Sequence, residues 1–227
     1  MLGQSKRNHK RIFFLLMSFL FISSTLSAHT INYVLEKAPA QDVVWYYIKL
    51  GFRHIIPLGP DHILFVISLC LLSTKIKTII WQASAFTVAH TLTLALSMKN
   101  IIAAPPAVVE PIIALSICFV AVENMLITEL KAWRVLIVFL FGLIHGMGFA
   151  SALNEIGLPR NQFYTSILSF NIGVEIGQIS VITAMFTLII FWWGKKSWYR
   201  NFFVYPLSAI IALIAAWWTI QRVFFSF

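Results

Sequence analysis

The sequence predicts an all-α membrane protein with about six transmembrane helices after a cleavable signal peptide. Of its 227 residues, 59% are hydrophobic and only 11% are charged, whereas soluble domains carry charge on about a quarter of their residues. The apolar residues lie in blocks of about 20, the length that a helix needs to cross a bilayer. Four basic residues precede the first block and most of the others lie between later blocks, rather than on one face, which is typical of topology signals and argues against nucleic-acid binding.

The first 28 residues have the pattern of a secretory signal peptide. A basic start is followed by an apolar core from Ile12 to Ile22 and by a small polar stretch that ends at Ala28. Because this core is short for a transmembrane helix, we expect cleavage after Ala28. His29 would then expose an α-amine and an imidazole that together could chelate copper or nickel, although the simpler interpretation is a residue that happens to follow the cleavage site.

A short extracytoplasmic segment (residues 29–44) and a single transmembrane domain (residues 45–227) are predicted to follow. Val43 to Ile56 is predicted to form a short helix that the prolines and glycine of residues 57–60 end. The next helix begins near Asp61, whose carboxylate suits a helix N-terminus. It is short for a full span, so we expect the preceding segment to enter the membrane with it. The six predicted spans are residues 61–73, 78–97, 109–128, 133–153, 164–193 and 203–221.

The charges of the loops predict the orientation. With the N-terminus outside, the inner loops hold more basic residues than the outer loops, as the positive-inside rule requires. We therefore predict a protein of the bacterial cytoplasmic (inner) membrane, surrounded by lipid, with its mature N-terminus outside. The basic residues of the inner loops are Lys75, Lys77, Lys131, Arg134, Lys195, Lys196 and Arg200.

Polar and ionisable residues inside the predicted helices indicate a functional site, because such residues are costly in a bilayer and usually face a cavity or a partner. At about 1.5 Å rise per residue, groups from four or five helices fall in one layer of the outer half of the membrane. The predicted metal ligands are His54, Asp61, His62, His90, His145 and Glu175. The predicted supporting residues are Glu110, Asn171 and Gln178.

Imidazole and carboxylate ligands suit a divalent transition-metal ion, namely nickel, cobalt, zinc or copper. The sequence does not distinguish among these metals. A deeper polar pair, Glu123 and Asn124, lies toward the inner end of its helix. It is interpreted either as the inner half of an ion path or as a buried pair that bonds a neighbouring helix.

At these motifs the sequence resembles the HupE/UreJ family, specifically its second, shorter branch. The resemblance extends from about Gly51 to Gln178. It implies a membrane protein of hydrogenase or urease accessory clusters that acts as a nickel, or sometimes cobalt, permease. The motifs that carry it are His54 with Gly59, and residues 61–65, 86–91, 145–150 and 170–175.

The same resemblance implies that the metal-handling motifs of the permease correspond to His54, Asp61, His62 and His145. This chain differs from the permease branch in two ways. The branch has its first histidine one residue closer to the Asp-His pair. It also has a second histidine and a glutamate at the positions of Phe141 and Gly148 in this chain.

Three functions from different classes follow from these residues. The first is a permease that captures a divalent metal outside and passes it inward. The second is an intramembrane metal hydrolase, in which histidines and an aspartate hold zinc and Glu175 is the general base. The third is a non-catalytic accessory protein that binds or delivers metal or assists assembly, and the sequence does not identify its protein partners. A permease needs a polar route through the inner half of the membrane, and the deep Glu123–Asn124 pair favours this function mildly.

Overall fold

A computed structural model describes residues 34–225 of the chain. The predicted signal peptide and His29 lie outside these residues. The regular secondary structure within residues 34–225 is helical, without a strand, which confirms the predicted fold class. The main helices are α1 (Ala40–Ile55), α2 (Pro60–Leu71), α3 (Ile76–Met98), α4 (Pro106–Leu126), α5 (Arg134–Ile156), α6 (Phe163–Met185) and α7 (Tyr205–Phe224).

Five of the described helical segments are each long and apolar enough to cross a membrane. They are Ile76–Met98, Pro106–Leu126, Arg134–Ile156, Arg160–Trp193 and Arg200–Phe224. The fourth extends α6 through a π-helical turn to Trp193, and the fifth adds a π-helical turn before α7. The helices agree with the predicted spans, and the ends differ by a few residues only.

Helices α1 and α2 together form the sixth candidate span, bent by 70° between them. The two helices are long and apolar enough to cross a membrane only when they are taken together, either as one broken span or as a re-entrant loop. That the segment before Asp61 enters the membrane with α2 stays a prediction. Helix α1 begins at Ala40, three residues earlier than predicted. Its first turn contains Asp42, which favours this earlier start because an acid stabilises a helix N-terminus.

Glycines allow two pairs of helices to pack closely. Between α1 and α6, a Cβ at Gly51 would overlap the Phe170 carbonyl, and a Cβ at Gly173 would overlap the Ile48 carbonyl. Between α3 and α5, a Cβ at Gly146 would overlap the His90 carbonyl. Small residues permit this backbone approach in membrane helices. The α3–α5 contact therefore fixes His90 beside the segment that carries His145.

Candidate metal centre

The first two histidines face each other across the bend between α1 and α2. His54 lies in the last turn of α1 and His62 in the first turn of α2. Gly59 packs directly on the His54 carbonyl, which keeps the connection short. The Nε2 atoms of the two rings are 3.0 Å apart. The Asp61 carboxylate accepts a hydrogen bond of 2.9 Å from the His62 backbone N–H, so it helps to fix the start of α2.

Hydrogen bonds determine the tautomer of His90. Its Nδ1 lies 3.0 Å from Asn171 Oδ1. The Asn171 amide nitrogen in turn donates to the Ile167 carbonyl, which establishes that the oxygen of the amide faces the ring. Because that oxygen only accepts, Nδ1 carries the proton and Nε2 has a free lone pair. Within the described residues, this buried Nε2 has no hydrogen-bond partner.

His145 is held in the same tautomer by its own helix. Its Nδ1 lies 2.9 Å from the Phe141 carbonyl oxygen, which can only accept. The Nε2 of His145 therefore also has a free lone pair, and it is buried without a hydrogen-bond partner among the described residues. An Nδ1–H bonded to a carbonyl or amide oxygen is the arrangement that orients a metal-binding histidine.

The four imidazoles lie close together in the bundle. The centroid of the His62 ring is 4.7 Å from that of His54, 5.2 Å from that of His145 and 6.1 Å from that of His90. Aromatic rings surround the group, with Phe149 at 3.9 Å from His54 and Phe86 at 4.8 Å from His145. The histidines of four helices thus share one site, at the common depth that their positions in the sequence predict.

A cavity of about 240 Å³ opens beside this histidine group. His54, His62 and His145 line it together with two acids, Asp61 and Glu110. Arg222 of α7 also lines it and forms an ion pair with Asp61. The cavity therefore contains imidazoles, carboxylates and one guanidinium.

The predicted ligand set is not assembled into a metal-binding geometry in this conformation. Among the described residues, no group of three or more His, Cys, Asp or Glu side chains could hold a metal ion. The physical reason lies in the positions of the side chains: the Nε2 atoms of His54 and His62 pair with each other. The centroid of the His90 ring lies 6.1 Å from that of His62, and Glu175 is bonded to Ser84. The metal role of these residues stays a prediction.

Three polar residues of α6 form a stripe that faces α3. Asn171 contacts His90, Glu175 accepts a hydrogen bond of 2.6 Å from Ser84, and Gln178 accepts one of 3.1 Å from Thr87. We call these six side chains the α3–α6 polar stripe. Glu175 belongs to this stripe and is not among the residues that line the 240 Å³ cavity.

The deep pair Glu123 and Asn124 is part of a buried network at the opposite end of the bundle from the cavity. Arg134 lies 3.2 Å from the Glu123 carboxylate and donates to Asn124 Oδ1, and its side chain is fully buried. Asn124 donates to the Ser68 carbonyl of α2. The pair therefore bonds neighbouring elements, as the second of its two interpretations predicts.

Comparison with protein families agrees with this architecture. The model of the family described as HupE / UreJ protein matches residues 29–222. The chain belongs to the HupE/UreJ family. No curated protein and no solved structure matches the chain.

Three features of the site in this HupE/UreJ protein did not follow from the sequence. Arg222 follows the last predicted span in the sequence, yet it reaches the cavity. Ser84 is a small polar residue of an apolar run, yet it binds Glu175. Phe149 lies against His54. The only signal for Arg222 was a charge next to the end of the last predicted span. Phe149 belongs to the motif of residues 145–150, and Ser84 gave no signal beyond its proximity to the motif of residues 86–91.

Proposed function

We propose that this HupE/UreJ protein is a permease that binds a divalent transition-metal ion in the histidine group and passes it across the membrane. The observation that carries the proposal is the pair of buried Nε2 lone pairs on His90 and His145, which have no partner among the described residues. Leaving such an acceptor unsatisfied costs about 1–3 kcal/mol. A metal ion satisfies it, and the resemblance of the motifs to nickel and cobalt permeases favours these two metals.

The spacing of His54 and His62 supports ion binding at the same place. In the square-planar geometry that nickel and copper adopt, two nitrogen ligands at about 2.1 Å from the ion and at right angles are about 3.0 Å apart. The two Nε2 atoms have this separation, at which one donates its proton in a hydrogen bond to the other. An ion would replace that proton, and the His145 or His90 ring would move inward to complete the ligand set.

The acids at the cavity mouth support capture from outside. Asp61 and Glu110 line the cavity that leads to the histidines. Carboxylates at the mouth of a low-dielectric cleft raise the local concentration of cations. With the predicted orientation, the ion would enter through this cavity from outside the cell.

We infer that the inward route follows the α3–α6 polar stripe rather than the Glu123–Asn124 pair. Glu123 is already neutralised by Arg134, and both are buried. The stripe begins at His90 and continues along α6 through Glu175 and Gln178, with hydroxyl groups opposite. The hydrolase function is less well supported, because its general base Glu175 lies outside the cavity.

Metal content and uptake of the purified protein test this proposal. The protein is loaded separately with nickel, cobalt, zinc and copper, and bound metal is measured by elemental mass spectrometry. Wild type should hold about one equivalent, and His62→Gln and His145→Gln should each lose it. Glu155→Gln is the control, because Glu155 is an exposed acid of α5 that does not line the cavity.

The uptake assay then separates the permease from the other two functions. Proteoliposomes with wild-type protein should accumulate the bound metal, and those with His145→Gln should not. Stoichiometric binding without uptake would contradict the permease and favour a hydrolase or an accessory subunit. Absence of binding for all four metals would contradict the metal site itself.

A further inference from the structure

A second cavity lies at the end of the bundle that carries the predicted inner loops. Its volume is about 210 Å³. Three connections meet there: the turn between α2 and α3 with Thr74, the α4–α5 loop with Thr128, and the turn before α7 with Lys196 and Ser197. None of the residues that line it is acidic. The cavity thus offers hydroxyl groups and positive charge without a competing carboxylate.

The cationic groups of this cavity differ in how firmly they are held. Arg200 Nη2 donates to the Asn124, Met125 and Ile127 carbonyls at the end of α4, so the guanidinium is fixed in position. Lys196 is exposed, and its ammonium makes no hydrogen bond or ion pair among the residues of the range 34–225. An ammonium in this state is available to an external anion.

Aromatic side chains support the wall that carries Lys196. Trp193 stacks on Phe203 with ring centroids 5.2 Å apart, and Tyr199 stacks on the same ring at 5.7 Å. Gly194 approaches Thr74 so closely that a Cβ would lie 3.1 Å from its methyl carbon. These contacts pack the turn before α7 against the turn after α2, so two of the connections that line the cavity are fixed relative to each other.

The position of the cavity relative to the membrane follows from exposed aromatic residues. Trp192, Trp198 and Phe202 flank the turn and are 62%, 39% and 70% exposed. Exposed tryptophans concentrate at the level of the lipid headgroups. We therefore expect the cavity to open at the level of the phosphate groups of a leaflet, on the side for which the loop charges predict the cytoplasm.

We propose that this cavity binds the phosphate of an anionic phospholipid from the adjacent leaflet. Lys196 would pair with the phosphate, the hydroxyl groups of Thr74, Thr128 and Ser197 would donate to its oxygens, and the acyl chains would lie against the exposed aromatic surface. Charged hydrogen bonds of this kind are stronger than neutral ones. Anionic lipids are also enriched in the cytoplasmic leaflet, where basic residues attract them. The site is separate from the histidine group, so it does not depend on metal transport.

Native mass spectrometry of the full-length protein in detergent tests the site. The probes are phosphatidylglycerol, phosphatidylcholine and inorganic phosphate. Phosphatidylglycerol should bind to wild type, and Lys196→Gln should weaken this binding about fivefold, the effect of removing one basic residue near a membrane surface. Thr128→Val should weaken it by a smaller factor. The control is Lys131→Gln, since Lys131 is an exposed basic residue of the same end that does not line the cavity.

Each other outcome contradicts the proposal. Equal losses in Lys196→Gln and Lys131→Gln would indicate general surface charge rather than a site. Equal binding of phosphatidylcholine would show that the negative charge is not recognised. Inorganic phosphate that binds as tightly as the lipid, and is lost in Lys196→Gln, would assign the cavity to a free anion. Thermal unfolding of each variant checks that the protein is folded.

Discussion

Arg222 Nη2 lies 3.9 Å from Asp61 Oδ2 at the mouth of the histidine cavity. The other terminal nitrogen of the same guanidinium donates to the Glu110 carbonyl at 3.0 Å. The arginine of α7 therefore connects the starts of α2 and α4 and places a positive charge where a metal ion would approach. A divalent cation that uses Asp61 has to compete with it.

Removal of this competitor should tighten metal binding. We expect Arg222→Gln to lower the dissociation constant for nickel or zinc about threefold, since a partly exposed ion pair contributes about 0.2–1 kcal/mol. Isothermal titration calorimetry of the purified protein measures the change. Arg160→Gln removes an exposed arginine that does not line the cavity and should leave the constant unchanged. Weaker binding in Arg222→Gln would mean that the arginine supports the site.

Asn171 should act on metal binding through His90. Asn171→Ala removes the oxygen that holds His90 Nδ1–H, so we expect metal affinity to fall about tenfold, as for other residues that orient a ligand histidine. Asn171→Asp keeps the acceptor for His90 but loses the donor to the Ile167 carbonyl, so it should restore part of the affinity. If both variants lose affinity and thermal stability equally, Asn171 contributes to folding rather than to the orientation of His90.

Glu175 should affect transport more than binding. Because Glu175 bonds Ser84 and lies outside the cavity, Glu175→Gln should leave the metal content near one equivalent. The uptake rate should fall at least severalfold if the polar stripe is the inward route. Gln178→Glu is a companion variant that adds a charge to the same stripe. An unchanged uptake rate in Glu175→Gln would exclude the stripe as the route.

The buried ion pair should be structural. Arg134→Met alone leaves Glu123 buried without its partner, which costs about 3–5 kcal/mol, and should strongly lower the unfolding temperature. The double variant Arg134→Met with Glu123→Leu removes both charges and should recover much of that loss. The double variant should also retain metal uptake. A folded double variant without uptake would instead place Glu123 on the ion path.

Alanine substitutions at two glycines should destabilise the protein to different degrees, depending on what the added methyl group contacts. Gly51→Ala pushes a methyl group into the Phe170 carbonyl, so α1 and α6 must separate, and overpacking of this kind costs about 1–3 kcal/mol. Gly148→Ala meets only side-chain ends, Ile113 Cδ1 at 2.7 Å and Val109 Cγ1 at 3.2 Å, which can move. Thermal unfolding in detergent should therefore show a larger loss for Gly51→Ala. Equal losses would contradict this ranking.

The sequence was sufficient to predict the helices and the common depth of the histidines. Helix length in a membrane is set by bilayer thickness, so counting residues along each apolar block places His90 and His145 at similar levels. Residue counting does not determine how far each helix is rotated about its own axis. That rotation decides which groups meet, so the contacts of Asn171 with His90 and of Glu175 with Ser84 required the structure.

The charged residues of the loops are a second case in which position along the sequence does not reveal which side chains meet. Arg134 counts as an inner-loop charge by its position in the sequence, and it also neutralises Glu123 inside the bundle. Ten residues separate Asn124 from Arg134, and the turn between α4 and α5 brings the two side chains together. The sequence could not show this pairing, because the direction in which a loop returns depends on the packing of the helices that it joins.

The 70° bend between α1 and α2 divides the first pair of candidate ligands between two rigid arms. His54 is carried by the arm that packs on α6, and His62 by the arm that lies against α4 and α6. An atom about 6 Å from a pivot moves about 1 Å when the angle changes by about 10°, whereas metal–ligand distances tolerate about 0.2 Å. A small change in the angle between α1 and α2 would therefore weaken the binding of an ion by His54 and His62. The tilt of these two helices would then control whether a bound ion is retained or released.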